Sequence, residues 1–384
     1  MRRLVTMVAA IVLVDTMFYA ATAPLLPYYS HHFHLSKSAA GVLAASYAAG
    51  TLLGSIPAGW LAARIGVRKA ILTGLSMMIV ASVAFGFAQS SEVLDIARFV
   101  QGVGGAASWA AGLAWLMARA PATRRAELIG TALAAAVAGA LLGPVLGTLA
   151  TQTSPKLVFS LVGLLGVGLC LWTFTEKAPP PTGAHGMGAF RPALRDPQVL
   201  SGMWLTTLGA LLFGTLGVLA PLRMDHLGAS ETAVGAAFLI AAAFAAVASP
   251  AVGKLSDRSG WRRPVLCGLA ASAVWVLLLP VPDSAALLFV LIVVADPSFG
   301  ISYPPAGALI SHGAEGVGLD QGYAFALFNL AWAGGQVVGN AGSAGLAQAT
   351  ADAVPYALLS ALCLVTIVTV VKRGPRTSAA SQLS

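Results

Sequence analysis

Three ionisable residues sit where ionisable residues are costly. Asp15, Arg98 and Asp296 each lie inside a long apolar run, with Asp15 at the middle of the run 4–27 and Asp296 near the middle of 284–311. A charge at the centre of a bilayer costs roughly 2.5–3.5 kcal/mol on insertion scales, so each must face a partner or an aqueous cavity. A carboxyl group in that setting can carry a proton or act as counter-charge to a cation. Asp15 can equally be half of a structural ion pair with an arginine, and Asp296 can be satisfied by the hydroxyls of Ser298 or Ser302. Arg98 keeps its charge and needs acceptors, of which Asp95 at i−3 and Asp15 on a neighbouring helix are the acids in reach. It either modulates the proton held by a nearby acid or clamps two helices together.

Other polar groups gather around these three. Tyr19 and Thr22 follow Asp15 at i+4 and i+7, which gives the first helix one polar face. Asn329, Trp332, Gln336 and Asn340 are spaced to share one face of a later helix. They line a cavity, where the indole offers a cation–π surface, or they bind one helix to the next. Gln101, Trp109 and Tyr303 complete the cavity candidates, although aromatic residues in such runs also serve packing and interface anchoring. Pro297 lacks an N–H and disfavours helical geometry at Asp296, so a kink is expected there, with Pro304 and Pro305 loosening the same helix again.

Two signals carry less. His31, His32 and His34 form an isolated loop cluster, and no metal site is expected from it. Gly102-Val103-Gly104 resembles part of a dinucleotide loop but lies within an apolar helix with no strand before it. Cys170, Cys267 and Cys363 lie in apolar runs without CxxC spacing and read as small packing residues. No cofactor is expected.

The elements that must position these groups follow from composition. The 384 residues are 58% hydrophobic and 9% charged, with a mean hydropathy of +0.83. Soluble domains carry roughly a quarter of their residues as charges. The apolar surface must therefore face lipid, which a helix of about 20 apolar residues crosses. Apolar runs fall at about 4–27, 39–63, 70–88, 91–118, 127–150 and 155–175, then at about 196–223, 231–255, 263–281, 284–311, 320–348 and 352–371. The expected fold class is an all-α membrane protein with twelve transmembrane helices in two pseudo-symmetric six-helix bundles. Residues 1–175 form the first bundle, 176–195 a cytoplasmic linker rich in Pro and Gly, and 196–384 the second bundle with a short tail.

Lys and Arg set the orientation. Arg2 and Arg3, Arg64 to Lys69, Arg119 to Arg125, Lys177 to Arg195, Lys254 to Arg263, and Lys372 to Arg376 all fall on one side. The other side holds only Lys37, Lys156 and Arg223. Both termini are expected in the cytoplasm, with the protein in the inner (cytoplasmic) membrane. The net charge of +8 is spread over these short loops and forms no patch, so no nucleic-acid partner is expected. Asp15 interrupts the first apolar stretch, which is read as a retained helix and not as a cleavable leader.

The two halves repeat. Gly59-Trp60-Leu61-Ala62-Ala63-Arg64-Ile65-Gly66-Val67-Arg68-Lys69 has a counterpart 194 residues later in Gly253-Lys254-Leu255-Ser256-Asp257-Arg258-Ser259-Gly260-Trp261-Arg262-Arg263. Gly139 and Gly143 are followed 196 residues later by Gly335 and Gly339. Halves of six spans suit a carrier that opens alternately to each side of a midplane site. Together these features resemble the major facilitator superfamily over the whole chain. The first loop resembles its motif A, with Ala63 at the motif's Asp and Val67 at its first basic position, whereas the second half keeps Asp257. The resemblance implies a gating role for Gly59, Arg64, Gly66, Arg68, Gly253, Asp257, Arg258 and Gly260, with Asp257 carrying more of the cytoplasmic latch.

Arg98-Phe99-Val100-Gln101-Gly102-Val103-Gly104-Gly105-Ala106-Ala107 matches motif B. Gly130, Gly139, Gly143-Pro144 and Gly147 reproduce the antiporter motif C, which implies a helix-packing role. A finer resemblance to the vesicular amine transporter branch and its drug-exporting relatives rests on Leu13 to Met17, Pro24 to Tyr29, Val294 to Pro297 and Tyr323-Ala324. Asn329 stands at one acidic position of that branch.

The expectation is a secondary transporter and not an enzyme: a multidrug-type antiporter that exports small hydrophobic or cationic molecules, driven by the proton gradient and working as a monomer. An importer or facilitator on the same fold is the nearest alternative. A non-transporting receptor would need more than the short segment Gly374–Ser384.

Overall fold

A computed structural model of the chain describes residues 1–119, 125–180, 190–319 and 321–372. Among them there are helices and no strands. The first bundle contains α1 (Arg2–Ala20), α2 (Thr22–His32), α3 (Lys37–Ile65), α4 (Val67–Gly86), α5 (Ser91–Arg119), α6 (Arg125–Gln152) and α7 (Pro155–Thr175). A short α8 (Phe190–Ala193) precedes the second, made of α9 (Pro197–His226), α10 (Glu231–Ser259), α11 (Arg262–Leu278), α12 (Ala285–Gly300), α13 (Tyr303–Gly316), α14 (Gln321–Val337), α15 (Ser343–Ala349) and α16 (Ala353–Lys372). A π-turn at Val338–Gly342 joins α14 to α15. Taking α1 with α2, α12 with α13, and α14 with α15 as one rod each gives six rods per bundle.

Among the described residues, nine stretches are long and apolar enough to cross a membrane. The remaining three rods fall short for local reasons. The α5 helix carries Arg98 and Gln101, α11 is only 17 residues long, and α14 ends at the π-turn after 17. Large apolar side chains such as Val80, Leu164, Leu171 and Val247 point outward, with Val247 78% exposed. That surface matches hydrocarbon and not water.

Breaks in two rods come from proline. Pro24 has no N–H for the Ala20 carbonyl, and the first rod breaks at Ala21. The kink expected at Pro297 is displaced: α12 runs through Pro297 to Gly300. The break falls instead at Ile301 and Ser302, because Pro304 and Pro305 occupy the first turn of α13, where a missing N–H costs nothing.

The helix pairings repeat between bundles. Helix α3 packs on α5, α4 on α7, and α1 on α6; correspondingly α10 packs on α12, α11 on α16, and α9 on α14. The bundles meet where α3 touches α14 and where α6 touches α10, again a symmetric pair. The repeated loops share a backbone conformation, with Gly66 at φ 90° and ψ 149° and Gly260 at φ 79° and ψ 157°. Only glycine adopts that region without strain.

Small residues set the seams. A Cβ on Gly139 would lie 2.5 Å from the Leu13 carbonyl, one on Gly143 would strike Ala20, and one on Gly147 would strike the Ala21 carbonyl and Pro24. In the second bundle, Gly335 approaches the Thr207 carbonyl and Gly339 the Leu211 carbonyl in the same way. Leu13 and Thr207, like Gly66 and Gly260, are 194 residues apart. Gly130 is a correction to this pattern. It is exposed and a Cβ there meets nothing within 4 Å, because nine residues before Gly139 is about two and a half turns and puts it on the side of α6 away from α1.

At one end the bundles are tied together. Lys37 Nζ pairs with Asp352 at 2.5 Å, and His31 Nε2 lies 2.7 Å from Asp225. The Ser38 N–H donates to Gln348 and Gln152 donates to Thr232. Gly66 and Gly260 lie at the opposite end.

The seam predicts a contrast between two glycines. Gly143→Leu should lower stability by about 1–3 kcal/mol, the usual cost of overpacking. Gly130→Ala should leave the midpoint unchanged or slightly raised. Thermal unfolding of the detergent-solubilised protein reads both, and equal losses would sink the assignment.

Candidate functional site

The broken first rod creates the centre of the site. The carbonyls of a helix's last turn have no partners within the helix, and the terminus carries partial negative charge. Arg98, buried to 1% exposure, meets that end from α5. Its Nη1 donates to the Phe18 carbonyl at 3.2 Å and to Gln101 Oε1 at 2.8 Å. Its Nη2 donates to the Tyr19 carbonyl at 3.2 Å and to Thr22 Oγ1 at 2.6 Å. The rings of Phe18, Tyr19, Tyr47 and Phe85 surround the guanidinium, with the Tyr47 centroid 5.3 Å from Cζ. Neither Asp95 nor Asp15 forms the expected ion pair with it. The helix end supplies the negative partner that a carboxylate was expected to supply.

Asp15 is therefore left to other donors. It is 1% exposed, and its Oδ2 accepts from Tyr47 Oη at 2.8 Å and from Trp109 Nε1 at 3.0 Å. Its Oδ1 has no hydrogen-bond partner. Gly105 makes the room, since a Cβ there would lie 2.8 Å from Oδ1. Tyr47 thus links the two charges, its hydroxyl on Asp15 and its ring against Arg98.

A cavity of about 780 Å³ opens between the bundles. Arg98, Tyr19 and Thr22 border it from the first bundle, and Asp296, Tyr303, Trp332 and Gln336 from the second. Phe213, Phe238, Phe325 and Phe328 supply most of its aromatic wall. Tyr303 stacks on Phe213 at 5.8 Å, and its hydroxyl is buried without a partner. Asp296 is 8% exposed and has no hydrogen-bond partner among the described residues. The hydroxyls expected to satisfy it are spent elsewhere: Ser298 donates to the Ala295 carbonyl and Ser302 to the Leu205 carbonyl.

The structure also separates residues that the sequence grouped. Gln101, Trp109 and Asn329 do not line the cavity. Gln101 is committed to Arg98 and Trp109 to Asp15. The lining stripe of α14 runs Ala324, Phe328, Trp332, Gln336 in four-residue steps, and Asn329 falls one residue past it. Asn340 donates to the Gln336 carbonyl at 2.7 Å and to its Oε1 at 2.9 Å. Those two polar groups therefore bind within their own rod. Tyr47 escaped the sequence reading; the available signal was a lone phenol in a stretch of Ala and Gly.

The sequence comparisons fit this architecture. A family model described as Major Facilitator Superfamily matches residues 8–223 and again 203–383. The chain belongs to the Major Facilitator Superfamily. Curated relatives that it matches are named as transporters. It is 27% identical over 274 residues to a synaptic vesicular amine transporter of Bos taurus, covering 68% of this chain and 51% of that protein. It is 32% identical over 149 residues to the MFS-type transporter ppzB of Metarhizium rileyi, covering 38% of this chain and 31% of the relative. The aligned region thus spans about half, or under a third, of those relatives' own length. A bacterial homolog of the human lysosomal transporter Spinster, inward-facing and unoccupied, superposes with a TM-score of 0.75 at 17% identity, covering 96% of this chain and 94% of that one. A D-xylose–proton symporter superposes with a TM-score of 0.74 at 16% identity, covering 96% of each chain.

The superfamily's loop motif sits at the end away from the Lys37–Asp352 pair. Arg64 lies over the Trp60 ring at 4.8 Å, and Arg68 donates to the Glu176 carbonyl, so neither reaches the other bundle. Gly59 is exposed, and a Cβ there meets nothing within 4 Å. Gly253 and Asp257 lie in α10, and their side chains fall outside the described residues; Arg258 is exposed.

Arg98 and Asp296 should respond oppositely to substitution. Arg98→Ala strands the Phe18 carbonyl and Gln101, while Thr22 and the Tyr19 carbonyl keep each other; at about 1–3 kcal/mol per buried group left unpaired, the unfolding midpoint should drop sharply. Asp296→Asn removes no hydrogen bond and should leave the midpoint near wild type. An Arg98→Ala protein as stable as wild type would contradict the anchoring role.

Proposed function

We propose that this transporter exports small, largely apolar or cationic molecules from the cytoplasm in exchange for protons. One observation carries the proposal: Asp296 stands in a mid-depth cavity without a hydrogen-bond partner among the described residues, facing an aromatic wall. A carboxyl group so placed is free to bind a proton or to face a cation, and the rings accept flat apolar surfaces or the cation itself. The volume of about 780 Å³ falls in the range of drug-sized pockets. The intact Gly139, Gly143-Pro144, Gly147 seam supports export, and the similarity to a vesicular amine transporter supports amines among the cations.

In this reading the bundles 1–175 and 196–384 rock about the cavity, with 176–195 as the cytoplasmic linker. The Lys and Arg of the loops support a cytoplasmic position for both termini, and the tied end then faces outward. Protons arriving from outside would displace substrate from Asp296, and their release inside would reset the carrier. The protein would act as a monomer in the cytoplasmic membrane, needing only substrate, protons and lipid.

The test is transport in proteoliposomes with an imposed pH gradient, using a fluorescent lipophilic cation and a pH-sensitive dye. The expected result is gradient-driven accumulation with matching proton movement, both abolished in Asp296→Asn. Movement that ignores the gradient and survives Asp296→Asn would overturn the coupling and favour a facilitator.

A further inference from the structure

Two ring contacts cross between the bundles at mid-depth, and both lead to Asp15. Trp109 of the first bundle stacks on Phe325 of the second at 5.9 Å and 10°. Tyr19 meets Trp332 edge-on at 5.5 Å, and Tyr19 in turn packs against Tyr47 at 4.7 Å. Trp109 and Tyr47 are also the two donors to Asp15 Oδ2. Each donor to this buried carboxyl is thus held, directly or through one ring, by the opposite bundle.

We propose that Trp109 is a positioning residue that ties the proton occupancy of Asp15 to the separation of the two bundles. This rests on the proton-coupled reading above. The indole is fixed by two constraints, its N–H on Asp15 and its face on Phe325. Alternating access requires the bundles to move relative to each other, and the face contact cannot survive that movement unchanged. Once Phe325 withdraws, Trp109 is free to turn. Asp15, whose Oδ1 already lacks a partner, then loses one of two donors. The hydrogen bonds of a carboxyl group govern which protonation state it prefers. The other titratable or charged groups facing Asp15 are Tyr47 from α3, Arg98 from α5 and Tyr19 on its own rod; among the described residues α6 and α7 bring none to this depth. Asp15 does not line the cavity, so this device senses the conformation of the carrier and not the substrate itself.

The experiment compares gradient-driven accumulation of the lipophilic cation with gradient-free counterflow in the same proteoliposomes. Trp109→Phe keeps a ring and deletes the N–H. It should lower gradient-driven accumulation about tenfold, the scale of one hydrogen bond to a charged group, and flatten the pH profile, while counterflow is retained. In a Phe325→Leu background the same substitution should cause no further loss, because the two residues act as a unit. Tyr47→Phe, a smaller change, should reproduce the flattened profile. A Trp109→Phe protein with the wild-type pH profile would overturn the relay, as would additive losses in the double variant or counterflow falling in parallel. If the wild type itself moves no protons, the coupling reading falls and the relay falls with it. If the wild type is coupled and Trp109→Phe is equally so, only the relay falls.

Discussion

A guanidinium buried between helices has to be satisfied, and here the satisfaction comes from a broken helix and not from an acid. Pro24 interrupts the first rod, the carbonyls of Phe18 and Tyr19 are left at its end, and Arg98 reaches in from α5 to take them. The choice has consequences throughout the first bundle. Because Arg98 is occupied, Asp15 is not neutralised by an ion pair and is held by a phenol and an indole. Because four rings close around the charge, α1, α3, α4 and α5 are fixed at one depth. Breaking such a buried arrangement by removing one partner is severe, since the charge or the carbonyls are then stranded.

The second bundle reuses the same frame with different contents. Glycines at matching positions bring α6 onto α1 and α14 onto α9, and the gate loops turn on glycines of the same unusual conformation. The contents differ where the frame bends. Pro144 stands in α6 where the second bundle has Asn340, within the π-turn Val338–Gly342. A proline and a π-turn each disturb the hydrogen-bond ladder of a helix, and π-turns recur at functional sites. Both distortions border the cavity.

Much of this was legible in the chain. Twelve rods follow from long apolar runs, and the repeat follows from glycines at constant offset, because lipid imposes length and close packing imposes small residues. Asp15, Arg98 and Asp296 stood out for the same reason, as exceptions that hydrocarbon does not tolerate without cause. What the chain concealed was partnership. Arg98 was paired with acids on the assumption that a charge seeks a charge, whereas the acceptor was created by a proline 74 residues away. Asn329 shares a helical face with Gln336, yet the cavity touches a stripe beside it, and only the packing of a neighbouring rod decides which stripe that is. Tyr47 carries no charge and no motif, and its importance arises only once α3 is laid across Asp15.

The contacts that tie the two bundles at one end are sparse and wet. His31 is 69% exposed and Lys37 43%, and exposed pairs of this kind contribute about 0–1 kcal/mol each. These pairs therefore add little to closure beyond the buried packing beneath them, where Gly41 meets Ala344 and the Asn340 carbonyl. A contribution of that size lies within the range that the binding of one small molecule can offset. It is also reachable by dissolved salt, because the Debye length is about 8 Å at physiological ionic strength and shortens as salt rises. The ionic strength of the fluid bathing that end thus becomes a control on how readily the gate parts, independent of anything bound at the centre.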